Sequence, residues 1–322
     1  MKNLLDPWNT TRPWCMLVVL ACLATLSALY GQEPISAETG PTFPVTPTLF
    51  IDEFEASEGI TFNAEGKLFI GANRAIWRAE PSGTVVKLTD VYLHLGMAGI
   101  GKRNILAADF GPTNVFRDGP NDDGIVWLIT PEGKKQVAAT GIADPNFILV
   151  QKDGSFLVSD DGTNKIYLVG TDGKVSLWTD AIAHPNGMVF SLDDSIVYVA
   201  QIFKSIDPIV PDDRVWAIHI KNLRPVGKPK LVGATGEGGI DGLAMDEFGQ
   251  IYIADNGGGK IWRLDPCSGK IILIAEGMAH VASLVFGEGE FDHEAIYATS
   301  TFRGGGKIWK VDVGVRGAPL HR

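Results

Sequence analysis

Four polar side chains stand at the same position of a repeated pattern, each eight residues before a turn residue of its own repeat. The four are Glu58, Asn146, Asn186 and Asp241, and the turn residues are Gly66, Gly154, Asp194 and Gly249. Two carboxylates and two carboxamides offer hard oxygen donors, which suit Ca²⁺ with its roughly 6–8 oxygen ligands. Alternatively, each residue simply caps a tight turn. Equal offsets in four repeats favour a shared metal site.

The repeats that carry these residues are marked by pairs of an apolar and an aromatic residue. The pairs are Ile76-Trp77, Val126-Trp127, Ile166-Tyr167, Val215-Trp216, Ile261-Trp262 and Ile308-Trp309, and their aromatic positions are 40 to 50 residues apart. Two further apolar runs precede each pair, and a turn rich in Gly or Asp with another β-rich run follows most of them. Units of four short strands at this period are typical of propeller blades.

The sequence therefore predicts an all-β fold, a six-bladed β-propeller of four-stranded blades. The blades are expected at about 58–90, 95–140, 146–181, 186–233, 241–277 and 281–313. The last unit lacks an obvious fourth strand, so we expect a strand at about 47–52 to complete it and close the ring. The propeller domain then covers 47–322. Since the first strand of a blade is innermost, the four polar residues are expected at the mouth of the central channel.

Composition and charge narrow the function classes. Hydrophobic residues make up 45% of the 322 residues, which excludes global disorder. Asp and Glu number 38 against 28 Lys and Arg, so the net charge is −10. Phosphate backbones repel such a chain, so no nucleic-acid partner is expected.

The N-terminus has the pattern of an export signal. Residues 13–31 carry no charge; Lys2 and Arg12 precede this apolar run, and Glu33 follows it. We interpret 1–31 as a signal peptide or signal anchor and 32–46 as a linker. The protein is then exported, periplasmic or extracellular, and meets a membrane only through this segment if it stays uncleaved. Cys267 would be the sole cysteine of the exported part, which excludes an intramolecular disulfide there.

Three motifs resemble the signature strands of the regucalcin/gluconolactonase family, also called senescence marker protein and luciferin-regenerating-enzyme-like. They are His184-Pro185-Asn186-Gly187-Met188, Ile240-Asp241-Gly242-Leu243-Ala244 and Ser57-Glu58-Gly59-Ile60. The resemblance implies a six-bladed propeller, a divalent metal, usually calcium, and lactone hydrolysis. It also implies that Glu58, Asn146, Asn186 and Asp241 bind the metal and that Asp241 is the catalytic carboxylate.

The chain departs from that family around the expected substrate pocket. Many members carry Arg two residues before the Asn of blade three, where this chain has Asp144. Asp144 and His184 are candidate substrate contacts, and the acidic residue at 144 puts gluconolactone itself in doubt as the substrate. Long loops at 109–124 and 201–213 should surround the channel mouth. The acidic loop 109–124 leaves open either a second metal or a solvated surface.

We expect an exported, metal-dependent carboxylic ester hydrolase of the lactonase type, acting as a monomer on a small-molecule lactone or ester. The metal would polarise the carbonyl and Asp241 would act as general base. No Gly-x-Ser-x-Gly elbow is present in the sequence, which disfavours a serine hydrolase. The alternatives are a non-catalytic exported binding propeller, or a related esterase or phosphotriesterase on the same scaffold.

Overall fold

The computed structural model describes residues 40–322, in which Pro41–Arg322 form a compact unit. The predicted export signal and residues 32–39 of the predicted linker lie outside the described residues. Within the rest of that linker, Val45 donates a backbone hydrogen bond to Ile274 O (2.8 Å) and forms a parallel bridge with Ala275. Residues just before the propeller are thus attached to its fifth blade.

Six four-stranded antiparallel sheets make up the unit. The strand before the first blade is β1 (Thr48–Ile51). Blade one comprises β2 (Ser57–Phe62), β3 (Leu68–Ala72), β4 (Ala75–Ala79) and β5 (Val85–Asp90). Blade two comprises β6 (Met97–Ile100), β7 (Asn104–Asp109), β8 (Gly124–Ile129) and β9 (Lys135–Ile142), with helix α1 (Val115–Asp118) between β7 and β8. Blade three comprises β10 (Pro145–Val150), β11 (Phe156–Asp160), β12 (Lys165–Val169) and β13 (Val175–Thr179).

The remaining blades follow the same order. Blade four contains β14 (Pro185–Phe190), β15 (Ile196–Gln201), β18 (Arg214–Lys221) and β19 (Arg224–Ala234), with a separate hairpin of β16 (Phe203–Ile206) and β17 (Ile209–Pro211). Blade five contains β20 (Ile240–Met245), β21 (Ile251–Asp255), β22 (Lys260–Leu264) and β23 (Ile271–Glu276). Blade six contains β24 (Val281–Phe286), β25 (Ala295–Ser300) and β26 (Ile308–Asp312), and a 3₁₀ turn spans Phe302–Gly304.

The blades are graded from a buried inner strand to an exposed outer strand. Every residue of β2 and β24 is buried, whereas β19 has no buried residue along its length. Beyond their entrances, the inner strands are therefore mostly apolar in sequence, whereas the outer strands mix apolar and polar residues. This gradient explains why the inner-strand entrances, which are polar, stand out in the sequence.

The ring closes through β1, as the sequence predicts. This strand pairs antiparallel with β26, with Thr48 opposite Lys310 and Leu49 opposite Trp309. Phe50 packs edge-on against Tyr297, with ring centroids 5.1 Å apart. A strand from the beginning of the propeller thus completes the last blade and removes its open edge. The prediction of six four-stranded blades is confirmed. Among residues 40–322, no helix is long and apolar enough to cross a membrane.

Candidate functional site

The inner strands of blades one, three, four and five share a backbone irregularity at the candidate ligands. Pairing with the next strand shifts register between Ser57 and Ile60 in blade one and between Ile240 and Leu243 in blade five. Blades three and four show the same shift around Asn146 and Asn186. A bulge re-aims the side chains at its position. All four candidate ligands therefore leave the regular pleat at the strand entrance.

Glycines, which have no side chain, let the entrances of neighbouring inner strands approach one another. A Cβ on Gly187 would lie 2.3 Å from Asp241 O, and one on Gly59 would lie 2.0 Å from Leu95 O. Gly96 donates its N–H to Asn146 O (2.8 Å) and would also clash with it if it carried a Cβ. Backbones at this distance require glycine. The strand entrances of neighbouring blades are thus drawn together around the channel.

Asn146 and Asp241 lie close enough to Glu58 to shift the pKa of its carboxyl group. Burial raises the pKa of Glu58 well above its usual value, the Asp241 carboxylate raises it further, and a hydrogen bond with the Asn146 side chain opposes the rise. Burial also raises the pKa of Asp241, to about 7, against a hydrogen bond from Asn256. Two carboxylates held this way in a buried site favour a cation between them.

Asn186 is buried beside Asp241 through the close approach at Gly187. Neither its Oδ1 nor its Nδ2 has a hydrogen-bond partner among the described residues. A buried carboxamide without partners is costly unless a ligand satisfies it. An all-oxygen donor set, paired carboxylates and an unsatisfied amide oxygen fit a hard divalent cation. Residues 40–322 contain no group of three His, Cys, Asp or Glu side chains able to hold a metal ion, so the carboxamides are essential to this assignment.

Asp161 is a further carboxylate at the site that the sequence analysis missed. Its Oδ2 accepts a hydrogen bond from Asn146 Nδ2 (2.9 Å), and its buried Oδ1 has no partner within the described chain. Burial raises its pKa well above the usual value. Neighbouring carboxylates add to that rise, in decreasing order those of Asp144, Asp160, Glu58 and Asp241. It follows strand β11 directly, 15 residues after Asn146, and this spacing could have revealed it.

Asn256 is the second residue that the sequence analysis missed. Its Nδ2 lies 3.4 Å from Asp241 Oδ2, again at a separation of 15 residues, and its Oδ1 lies 3.2 Å from His280 Nδ1. Because an amide oxygen can only accept, His280 Nδ1 carries the proton in this pair. His280 therefore fixes the orientation of the Asn256 amide, which in turn presents its N–H₂ group to Asp241.

The two candidate substrate contacts have different surroundings. Asp144 is fully buried, and its oxygens accept from Val115 N (2.8 Å) and Asn121 Nδ2 (3.0 Å). It attaches the blade-two loop to blade three, and its contact with substrate stays a prediction. His184 is half-buried, and its Nδ1 lies 2.8 Å from Asp161 O. Since a carbonyl only accepts, Nδ1 carries a proton and donates it in this bond.

The two long loops meet above blade three. Phe116 of the blade-two loop packs edge-on against Phe203 of the blade-four loop, at 5.9 Å between ring centroids. Phe110 stacks on Phe116 with ring centroids 6.4 Å apart, and His184 packs edge-on against Phe203. Phe116 stays 40% exposed. The loops thus build an aromatic wall beside the acidic cluster. Within loop 109–124, Asp118 pairs with Arg117 and Asp123 accepts from Thr113 Oγ1, and no second metal group is present among the described residues.

The fold and these residues define a class: a six-bladed propeller with a buried oxygen-rich cluster at its channel mouth. Residues 143–302 match the model of the SMP-30/Gluconolactonase/LRE-like region. These residues are similar to that family, and the resemblance seen in the sequence is confirmed. The matched range begins just before Asn146 and includes Asn186 and Asp241.

Known relatives agree with this assignment. The chain is 28% identical over 152 residues to diisopropyl-fluorophosphatase of the squid Loligo vulgaris, a match covering 46% of this chain and 42% of that enzyme. The structure is similar to a gluconolactonase from Xanthomonas campestris, with a TM-score of 0.66 and 18% identity over 84% of this chain and 88% of that one. It is also similar to the calcium-binding protein regucalcin from Agrobacterium tumefaciens, with a TM-score of 0.68 and 20% identity over 86% and 97%. These structural likenesses show the fold, and the family includes hydrolases.

Proposed function

We propose that this protein is a divalent-cation-dependent hydrolase of lactones or related carboxylic esters, exported from the cytoplasm. The observation that carries the proposal is the buried pair of Glu58 and Asp241: burial raises the pKa of both carboxyl groups, and the Asp241 charge raises that of Glu58 further. The match of residues 143–302 to the SMP-30/Gluconolactonase/LRE-like model and the structural likeness to a gluconolactonase and a regucalcin support it. The apolar N-terminal run of the sequence supports export.

The residues that would hold the cation, most suitably Ca²⁺, are the four polar residues at the inner-strand entrances: Glu58, Asn146, Asn186 and Asp241. When bound, such a cation supplies Lewis acidity towards a carbonyl oxygen and the negative charge that develops there. Two carboxylates balance a 2+ charge, so a neutral ester carbonyl meets no net repulsion.

Asp241 is the proposed general base, which would take a proton from the attacking water. Its Oδ2 is oriented by Asn256, and Asn256 is held by His280. Asn256 thus serves the reaction by holding the carboxylate in one orientation.

The surroundings of the cluster suit an uncharged substrate with an apolar part. The wall formed by Phe110, Phe116 and Phe203 offers aromatic surface, and Asp144 stands where many relatives have a cation for a sugar lactone. The carboxylates of Asp144 and Asp161 would repel the carboxylate product and so favour its release. Apolar lactones and esters are therefore preferred over polyhydroxylated lactones.

Phosphotriester hydrolysis is a second candidate. The curated relative is a diisopropyl-fluorophosphatase, and a cation held by oxygen ligands can polarise a phosphoryl oxygen as well as a carbonyl. The same aromatic wall would accommodate the apolar substituents of a neutral triester. The candidates differ only in the electrophilic centre that they present to the water.

The test is hydrolysis of a panel of apolar lactones, sugar lactones, aryl esters and neutral phosphotriesters by the full chain, with and without chelator. We expect turnover of apolar lactones or esters that EDTA abolishes and added Ca²⁺ restores. Turnover confined to phosphotriesters would select the second candidate. Turnover insensitive to EDTA would contradict the cation requirement, and no turnover of any panel member would favour a propeller that only binds.

A further inference from the structure

The lower part of the central channel encloses a cavity distinct from the polar mouth. It has a volume of about 520 Å³ and is lined by all six inner strands and by the C-terminal segment 316–322. Small-molecule sites in proteins are typically about 300–1,000 Å³. Its uppermost lining residue in blade one is Ile60, two residues or roughly 7 Å along the strand from Glu58. None of the four candidate metal ligands is among the described lining residues.

The walls of this lower cavity are apolar and adaptable. Met97, Met188 and Met245 line it, which is half of the six methionines in the whole chain, together with Phe147 and Leu243. Methionine side chains are flexible and polarizable, and they are frequent at surfaces that accept varied apolar ligands. Water needs about 2–4 polar partners, and among the described lining residues the inner strands contribute only Thr61 and Ser283 as polar side chains. An empty cavity of this kind would forfeit dispersion contacts that an apolar molecule restores.

The floor is the C-terminal segment 316–322, and three contacts hold it in place. Its backbone joins the end of β20: Ala318 donates to Met245 O (2.8 Å). His321 Nε2 lies 2.8 Å from Asp194 Oδ1, and Arg322 pairs with Glu288. The carboxylates of Asp194 and Glu288 are therefore already paired, and a cationic ligand would have to separate one of these pairs to reach them.

One polar group of the floor lacks a hydrogen-bond partner among the described residues. Arg322 Nε is buried and has no hydrogen-bond partner among residues 40–322. It lies against the inner strand of blade two, 3.1 Å from where a Cβ of Gly99 would be. A buried N–H without a partner is costly, and a ligand oxygen can satisfy it without separating the ion pair.

We propose that the lower cavity is a second ligand site, which takes an uncharged apolar molecule carrying one hydrogen-bond-accepting oxygen, such as a ketone or an ester. The apolar body fills the space between the methionines, and the oxygen accepts from Arg322 Nε. This site is independent of the proposed hydrolysis because it shares no residue with the cluster at the opposite end of the inner strands.

The probe is 6-propionyl-2-dimethylaminonaphthalene, a neutral aromatic ketone whose emission moves to the blue in apolar surroundings. Titration into the full chain should give one saturable site with blue-shifted emission, unchanged by EDTA. Decan-2-one should displace the dye, and decanoate at neutral pH should be at least tenfold weaker. Equal displacement by decanoate would overturn the preference for an uncharged ligand, and loss of binding in EDTA would overturn the location.

Variants locate the site independently. Met188→Trp fills the cavity and should weaken dye binding at least tenfold, whereas Phe248→Trp, at a side chain that is 69% exposed, should leave it unchanged. Met245→Trp gives a second filling variant if the first fails to fold. Arg322→Met removes the donor and should weaken binding about fivefold, the equivalent of one hydrogen bond of about 1 kcal/mol. Unchanged binding in a folded filling variant, or no binding by the wild-type chain, would overturn the proposal.

Discussion

Blades three and five have the same strand arrangement, but they carry their carboxylate and their amide at exchanged positions of the channel mouth. In blade five the inner-strand entrance is a carboxylate, Asp241, and the residue 15 positions later is an amide, Asn256. In blade three the entrance is an amide, Asn146, and the residue 15 positions later is a carboxylate, Asp161. Each pair joins one Asp to one Asn, in reversed order. The comparison shows that each of these two blades fixes two facing positions, and that the charged carboxylate can stand at either of them.

The residue just before Asn256 and Asp161 is a buried aspartate in both blades, Asp255 in blade five and Asp160 in blade three. The two blades differ in the hydrogen bonds that this aspartate accepts. In blade five Asp255 Oδ2 accepts from the indole N–H of Trp262 (3.0 Å). Blade three has Tyr167 at the matching position, and Asp160 Oδ2 has no partner in the described part of the chain. Burial raises the pKa of Asp160 to about 6, although hydrogen bonds from Thr163 and from the backbone of Asp144 oppose this. Blade three is therefore the more acidic and the less satisfied side of the mouth.

The largest effect is expected in blade five. Asp241→Asn should lower kcat for the best panel substrate by about 10²–10⁴-fold, because a carboxamide cannot accept the proton of the attacking water. The amide oxygen still coordinates, so part of the cation affinity should remain. Steady-state kinetics at saturating Ca²⁺ measures the loss, and Asp312→Asn, at an exposed strand end, is the control. Wild-type rates in Asp241→Asn would assign the base elsewhere.

The matching change in blade three should be smaller. Asp161→Asn replaces the charged acceptor that orients Asn146 by a neutral amide and should weaken Ca²⁺ binding or activity by about 10–100-fold, as is usual for groups that orient a metal ligand. The double variant Asn146→Asp/Asp161→Asn restores the pair in the order of blade five. It should regain most of the affinity, whereas a purely structural role for Asp161 predicts no such rescue. Calorimetry on all three chains separates the two outcomes.

Substrate preference should change when Asp144, which binds the blade-two loop to blade three, is replaced by a residue of opposite charge. Asp144→Arg introduces the cation that many relatives carry and should shift the ratio of kcat/KM towards polyhydroxylated lactones by several-fold, relative to apolar lactones. Because Asp144 anchors Val115 and Asn121, Asp144→Asn is the matched control for loosening of the loop. Equal shifts in both variants would mean that the loop, and not the new charge, sets the preference.

The smallest effect concerns stability. The pKa of Asp160, about 6, exceeds that of a free Asp, about 3.9. The folded state then binds its proton more tightly, so this group lowers the free energy of unfolding as pH rises from about 4 through 6. Tyr167→Trp supplies the indole donor found in blade five and should add about 1 kcal/mol near pH 7.5 and less near pH 4. Urea unfolding measures both, and an equal gain in Tyr167→Phe would contradict the donor explanation.

The blade framework was predictable because strand period and aromatic spacing recur in every repeat. The closing strand followed from the incomplete last blade, and Phe50 lies in it. The candidate ligands followed from equal offsets to a turn. Asp161 and Asn256 were missed because each lies just beyond a strand end, where the neighbouring residues look like a turn. Only their common spacing of 15 residues from an inner-strand entrance marks them. The lower cavity was also missed, since the sequence does not show that 316–322 crosses the channel floor.

Calcium titration of the full chain tests the central claim most directly, namely that four blades supply one cation site. Isothermal calorimetry of the apo protein should show a single Ca²⁺ site, weakened at least tenfold in both Glu58→Gln and Asn186→Leu. The exposed-residue variant Glu65→Gln, also in blade one, should titrate like the wild type. Unchanged affinity in both Glu58→Gln and Asn186→Leu, or no Ca²⁺ binding by the wild-type chain, would contradict the site.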